Sequence, residues 1–294
     1  MSAPLVNNSG TDAGPPRMTF HIDITFDFPC PWCYIGHRRL SRAIDLYRKV
    51  YPGGRNDVFQ FHWHPFYLSG TASLCETASD SATISLGSAN CTSSACAPSS
   101  SVSATEVLST RFADQPERAA AVVDRLHQVG RSEGILFDFS PGTGMKIPRA
   151  GTRDVHRLVR LVDRKYGDVA AQALVEQLYH GIYEEGVDVG EKEELVRLAA
   201  GVKEASCGSD KVLSIDEGTI RAWMESDEGC EEIDKEAERA RAGEGVTGVP
   251  TFVVSGSKAS REALEGAHDV GDWLEVLTKI KQANEEHSGA KISV

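Results

Sequence analysis

The chain reads as an α/β protein. It has a strand–helix–strand unit near its start, a short β-rich run and a helix near its end, and a long helical stretch between. Three observations carry this reading. Phe20, Ile22, Ile24, Phe26 and Phe28 alternate with His21, Asp23, Thr25 and Asp27, the period-two pattern of a half-buried strand. Ile35, Leu40, Ala43, Ile44 and Tyr47 then recur at helical spacing with Arg38, Arg39, Arg42 and Arg48 between them. Thr251-Phe252-Val253-Val254 is a β-rich run, and Val270, Trp273, Leu274, Leu277 and Ile280 follow it at helical spacing.

Residues 1–18 carry Asn, Ser, Gly, Pro and Asp and read as a disordered tail. The first helix stops at Pro52-Gly53-Gly54. Val58 to Trp63 reads as a second strand with Phe59, Phe61 and Trp63 on one face. A strand–helix–strand unit implies parallel strands with a right-handed crossover. Residues 69–105 are rich in Ser, Ala and Thr and cannot bury enough apolar surface to offset their ordering entropy. They read as a flexible insertion, with Cys75, Cys91 and Cys96 incidental. From 106 to 243 the pattern is helical, with runs at Ala119–Val129, Val155–Tyr166, Ala170–Tyr183, Lys192–Ala200 and Ile220–Arg241. In the last part, 244–285, Ser255-Gly256-Ser257-Lys258 is a turn and Arg261–Leu264 a partner strand. Asp269 is a plausible N-cap for a closing helix ending at Asn284. Residues 286–294 form a second tail. Trp63 and Trp273 read as core.

Composition bounds the function. The 294 residues hold 31 Lys and Arg against 43 Asp and Glu, a net charge of −12. That balance disfavours a nucleic-acid groove and docking to anionic lipid. No run of 18 apolar residues predicts a membrane span. Met1–Arg17 lacks the basic start and apolar middle of a secretory leader, so a cytoplasmic, reducing location is expected. Seven cysteines are too few and too uneven for a secreted disulfide framework. Cys207 and Cys230 read as buried free thiols rather than a second disulfide.

Pro29-Cys30-Pro31-Trp32-Cys33 joins the first strand to the first helix. Disulfide exchange needs a thiolate that attacks and a second thiol that resolves. Two cysteines with two residues between them supply both at a helix start, where free N–H groups and the helix dipole favour an anion. Cys30, exposed at that end, is expected to have a depressed pKa, and Cys33, one turn inside, to be buried and resolving. Pro31 suits a first helical position. Trp32 shapes the substrate surface. The competing reading is half of a zinc site, which needs two more ligands; Cys91 with Cys96, or His62 with His64, are the available pairs. Pro250 stands just before a strand. From spacing alone, Val249–Pro250 is equally an ordinary trans bond at a strand start and a cis bond facing the dithiol.

Asp27-Phe28-Pro29-Cys30-Pro31-Trp32-Cys33-Tyr34-Ile35-Gly36 resembles the active-site segment of the DsbA-like thioredoxin family, in its FrnE-like branch. Gly245-Val246-Thr247-Gly248-Val249-Pro250-Thr251-Phe252 resembles that family's cis-proline segment. Gly266-Ala267-His268 sits where the family often has Gly-Ala-Gln. Thr152-Arg153-Asp154-Val155-His156-Arg157 is similar to its Asn-Thr-x-x-Ala-His-Arg, with Gly151 replacing Asn and Val155 replacing Ala. The resemblance covers roughly 19–66 and 106–285. It implies a thioredoxin-like fold, formed by 19–68 and 244–285, with an all-helical domain inserted at 106–243. It implies a cis Pro250 and a site of Cys30 and Cys33, with Pro31, Trp32, Val249, Pro250 and His156 toward substrate, although a histidine on an otherwise apolar helical face, as His156 is, reads from the residues alone as a satisfied core residue. It implies a thiol–disulfide oxidoreductase acting on a thiol or disulfide partner, with no cofactor beyond its dithiol and glutathione as a possible co-substrate. The same superfamily contains kappa-class glutathione transferases and 2-hydroxychromene-2-carboxylate isomerases. The alternative is therefore a glutathione-dependent enzyme on an aromatic or polyketide intermediate of secondary metabolism. Those relatives typically carry Ser in place of Cys30. A third reading is a redox-inert binding module that keeps the fold. The 69–105 insertion departs from the family pattern.

Overall fold

The computed structural model describes residues 18–68, 101–202, 215–243, 246–256 and 260–289. The elements run β1 Thr19–Phe26, α1 Pro31–Val50, β2 Val58–Pro65, β3 Ser101–Ser103, α2 Ala104–Arg111, α3 Pro116–Ser132, β4 Lys146–Pro148 and α4 Arg153–Tyr166. They continue with α5 Asp168–Glu184, α6 Lys192–Ala200, α7 Glu217–Glu225, α8 Cys230–Arg241, β5 Thr251–Ser255, β6 Arg261–Glu265 and α9 Val270–Gly289.

Among the described residues, the main sheet has four strands in the order β2-β1-β5-β6. β1 pairs with β2 in parallel, Thr19 opposite Val58, as a helical crossover requires. β5 runs antiparallel to both β1 and β6. This is a thioredoxin-like sheet whose two halves lie far apart in sequence, with α2–α8 between them.

The alternation in β1 turns Phe20, Ile22, Ile24 and Phe26 into the core, where α1 contributes Ile35, Leu40, Ala43, Ile44 and Tyr47. α9 packs beside α1 through Trp273, Leu277 and Ile280, and Trp273 meets the Phe252 ring edge-on at 4.9 Å. One buried acid ties these pieces together. Asp57 accepts from the Met18 N–H at 2.8 Å, the Tyr47 hydroxyl at 2.8 Å and Lys281 Nζ at 2.9 Å, joining the start of β1, α1 and α9.

The structure corrects several expectations. Met18 is buried rather than part of a tail, and α9 runs on through 286–289. Ser101–Ser103, read within the Ser-rich insertion, pair antiparallel with Lys146–Pro148. Residues 69–100, with Cys75, Cys91 and Cys96, lie outside the described residues, as does Cys207. Cys230 is a half-buried free thiol. The single helix expected over Ile220–Arg241 is two. The buried Arg157 guanidinium collects the carbonyl oxygens of Ser226 at 2.7 Å, Glu228 at 2.8 Å and Trp223 at 3.4 Å, and Gly229 turns the chain at φ +79. The guanidinium thus braces the carbonyls of the turn that separates the two helices. The Asp269 carbonyl does start α9, accepting from the Trp273 N–H at 3.2 Å, while its carboxylate pairs with Arg39 at 2.8 Å. Among the described residues, no helix is long and apolar enough to cross a membrane.

Candidate active site

The site forms where β1 ends and α1 begins. Cys30 is the N-cap of α1, in extended conformation, with Pro31 as first helical residue. No acidic side chain occupies the first turn of α1, while Arg48 and Lys49 stand in its last. The positive end of a 20-residue helix is thus left to the sulfur of Cys30.

Both cysteines are free and buried, Cys30 at 6 % and Cys33 at 2 % exposure. Cys30 is less open than the sequence suggests because its thiol lies under the prolyl loop, donating to the Val249 carbonyl oxygen at 3.5 Å. The Cys33 thiol, hydrogen-bonded to the Cys30 sulfur, is the main influence holding Cys30 below the usual thiol range. The backbone N–H groups of Cys33 and Trp32 help, while burial and the charge of Asp27 oppose. Burial drives Cys33 the other way, well above that range, and its hydrogen bond to Cys30 and the Cys30 charge add to the rise. The pair is therefore unequal, with one sulfur ready to ionise and its neighbour ready to stay protonated.

The Val249–Pro250 bond is cis. Gly36, in the second turn of α1, lets the helix lie close to this loop. A Cβ there would stand 3.1 Å from Phe252 Cζ and 3.2 Å from Pro250 Cγ. Arg39, further along α1, donates to the Ala267 carbonyl at 2.6 Å, fixing the loop between β6 and α9. Pro31, Trp32 and Val249 are partly exposed around the sulfurs, Pro250 is buried, and the Arg125 guanidinium of α3 lies 5.9 Å from the Trp32 ring centre.

His156 is not at the surface. It is 3 % exposed, and its ring packs against Phe26 at 5.0 Å and Phe28 at 5.2 Å. Its contact with the site runs through Asp27, with Nε2 3.3 Å from Asp27 Oδ1. Asp27 is the residue the sequence reading missed. The alternation places it with the outward polar set, yet it is 1 % exposed. The strand ends at Phe26, and the turn that follows points the carboxylate inward. Its Oδ1 accepts from the Phe28 N–H at 2.9 Å and the Thr152 hydroxyl at 2.7 Å, and its Oδ2 from the Leu68 N–H at 2.8 Å. Its charge acts on both sulfurs. The signal available was the acid's place, three residues ahead of Cys30 and followed by an apolar Phe28.

Three tyrosines back the dithiol. Tyr34 stacks on Tyr179 at 5.0 Å and on Tyr183 at 5.8 Å, and the Tyr183 hydroxyl donates to the Phe28 carbonyl at 2.9 Å. His62 and His64 lie elsewhere, on the β1–β2 ladder. His64 bonds Asp23 at 3.1 Å and Glu236 at 2.6 Å, and His62 lies 3.4 Å from His21. Among the described residues, no three His, Cys, Asp or Glu side chains are grouped to hold a metal ion.

A dithiol at the first helix of such a sheet, under a loop ending in a cis proline, places the chain in the thioredoxin-like class. Within that class, the model of the DSBA-like thioredoxin domain matches residues 21–277. The chain belongs to that family. Among solved structures it resembles a probable DsbA oxidoreductase of Streptomyces coelicolor, with TM-score 0.63 and 21 % identity over 89 % of each chain. It also resembles a candidate protein disulfide isomerase of Nitrosomonas europaea, at 0.56 and 17 % over 91 % of this chain and 99 % of that one. A 2-hydroxychromene-2-carboxylate isomerase follows at 0.50 and 14 %, over 93 % and 100 %. At these identities the likeness is one of fold. Comparison with curated proteins returns no match.

Proposed function

We propose that the chain is a thiol–disulfide oxidoreductase in which Cys30 attacks and Cys33 resolves. The carrying observation is the placement of the two sulfurs, with Cys30 as N-cap at the start of α1 beneath the cis-prolyl loop and Cys33 one turn further in and more deeply buried.

In the reducing direction, the Cys30 thiolate attacks one sulfur of a partner disulfide. A Cys30–partner bond forms, the partner's S–S bond breaks, and its other sulfur leaves as thiolate. Cys33 then loses its proton and attacks the Cys30 sulfur. The internal disulfide forms and the second partner sulfur leaves with the electron pair. Two cysteines are oxidised and one disulfide is reduced; the oxidising direction is the reverse. Asp27, whose charge reaches Cys33, is the nearby group to receive the Cys33 proton. Trp32, Pro31 and Val249 bound the approach to Cys30. Glutathione, the abundant thiol of the reducing compartment expected for this chain, is proposed as a partner.

Incubation of reduced protein with glutathione disulfide, acid-quenched and read by mass, tests the reading. The wild type is expected to end as a Cys30–Cys33 disulfide with two glutathione thiols released. Cys30→Ser is expected to lose at least a thousandfold in rate, and Cys33→Ser to stop at a mixed disulfide on Cys30. Undiminished exchange in Cys30→Ser would falsify the assignment.

A further inference from the structure

The geometry points to His156 as a positioning residue for the resolving step, acting through Asp27 as the second half of a buried proton-holding dyad for Cys33. This rests on the oxidoreductase reading and goes beyond it.

When Cys33 attacks the mixed disulfide, its proton must go to a group inside the fold, since Cys33 is 2 % exposed. Asp27 is nearby, but a carboxylate so buried needs compensation. Of its partners, the Phe28 and Leu68 N–H groups and the Thr152 hydroxyl are fixed donors. His156, with its nitrogen 3.3 Å from Oδ1, is the one imidazole among them, a ring that can both give and take a proton. Thr152 and His156 both belong to the start of α4, as N-cap and fourth helical residue, and the His156 N–H bonds the Thr152 carbonyl at 3.1 Å. One turn of helix thus delivers both groups to one carboxylate oxygen.

The surroundings suit proton storage. The aromatic rings of Phe26, Phe28 and Tyr67 enclose the imidazole. A cavity of ≈ 10 Å³, lined by Asp27, Pro29, Tyr67, Ile147, Pro148, Gly151 and Thr152, adjoins the carboxylate. That is about the room one water molecule needs, and it gives the dyad a place to pass its proton on. The other titratable groups facing the dyad are Cys30 and Cys33 from α1, Tyr179 and Tyr183 from α5, and Tyr67 after β2. Behind Tyr67 stand Asp234 and Arg153, joined to each other at 3.1 Å. The tyrosines are all held above the ordinary phenol range, so none competes for the proton near neutrality.

In the step itself, the Cys33 S–H proton moves to the Asp27–His156 dyad as the Cys33–Cys30 bond forms. The Cys30–partner bond breaks, and the partner sulfur departs as thiolate with the electron pair. Return of the proton accompanies the reverse reaction.

The test follows reduced wild type, His156→Gln and His156→Leu against glutathione disulfide from pH 5 to 9, with quench and mass readout separating mixed disulfide from internal disulfide. His156→Gln keeps an N–H donor but not an imidazole that can take up a proton. Both variants are expected to resolve at least tenfold more slowly at pH 7, with a changed pH profile, while first attack at Cys30 changes less than threefold. A Gln variant with the wild-type resolution profile overturns the inference, leaving only a structural donor. Imidazole NMR of the wild type is the second measurement. The His156 imidazole resonances are expected to differ between the reduced and oxidised protein, and resonances that do not differ also overturn the dyad. If the wild type forms no internal disulfide at all, the oxidoreductase reading fails instead.

Discussion

At the scale of single residues, Asp27 is a secondary brake on the site, behind the Cys33 thiol and burial. Its carboxylate opposes ionisation of Cys30 even as the start of α1 and the Cys33 thiol favour it. Removing the charge while keeping the shape should release Cys30 further. Asp27→Asn is expected to move the pH midpoint of Cys30 alkylation by iodoacetamide downward, with faster reaction at pH 6 than the wild type. In the wild type, Cys30 is expected to alkylate well before Cys33. Peptide mass mapping of the alkylated sites measures both. A midpoint that stays or rises in Asp27→Asn would show that the carboxylate does not act on the thiol.

At the scale of elements, the approach of α1 to the prolyl loop depends on Gly36. Alanine there needs its neighbours to give by a few tenths of an ångström, against a gain in helix propensity of about 1 kcal/mol. Gly36→Ala is expected to be near neutral. Valine adds two methyl groups against Phe252 and Pro250. Gly36→Val is expected to cost about 1–3 kcal/mol in urea unfolding and to slow exchange with glutathione disulfide. A valine variant as stable and active as the parent would mean that α1 and the loop can part without consequence.

The same scale shows what could be read in advance. β1, β2, α1 and α9 were legible because their own alternation or helical stripe records the face they bury. β3 and β4 were not, since Ser101-Val102-Ser103 and Lys146-Ile147-Pro148 are too short for a pattern and are strands only by pairing with each other. The break between α7 and α8 was hidden because the Arg157 that braces it lies some seventy residues away. The dithiol was plain because its chemistry is local, two cysteines at one helix start. The burial of Asp27 was not, because it is made by Thr152 and Leu68, brought together only in the fold.

At the scale of the whole molecule, two histidines set opposite limits on stability with pH. His37, on α1 four residues beyond Cys33, is buried between Trp63 and Tyr179, and neither ring nitrogen has a hydrogen-bond partner. Burial pushes it down to about 4. Its folded pKa lies below its unfolded value near 6.5, so its contribution is full above pH 6.5 and is lost as pH falls toward 4, roughly 3 kcal/mol in all. His64 does the reverse. Its bond to Asp23, then that to Glu236, raise it to about 9, tying β2 to α8, while Arg160 holds Glu236 at 2.7 Å. Its contribution is full below pH 6.5 and is lost as pH rises through 9. The pair is partly exposed and screened, which keeps it to about 1 kcal/mol or less. Thermal unfolding from pH 4 to 10 should therefore show a maximum near pH 6.5 from these two groups. His37→Leu is expected to raise the acid limb by several degrees and, by removing an unpartnered buried donor, to leave the neutral protein no less stable. His64→Gln is expected to lower Tm near pH 6.5 and to converge with the parent above pH 9. If His37→Leu leaves the acid limb where it was, or His64→Gln stays parallel to the parent up to pH 10, these imidazoles do not govern the pH range over which sheet and helices stay joined.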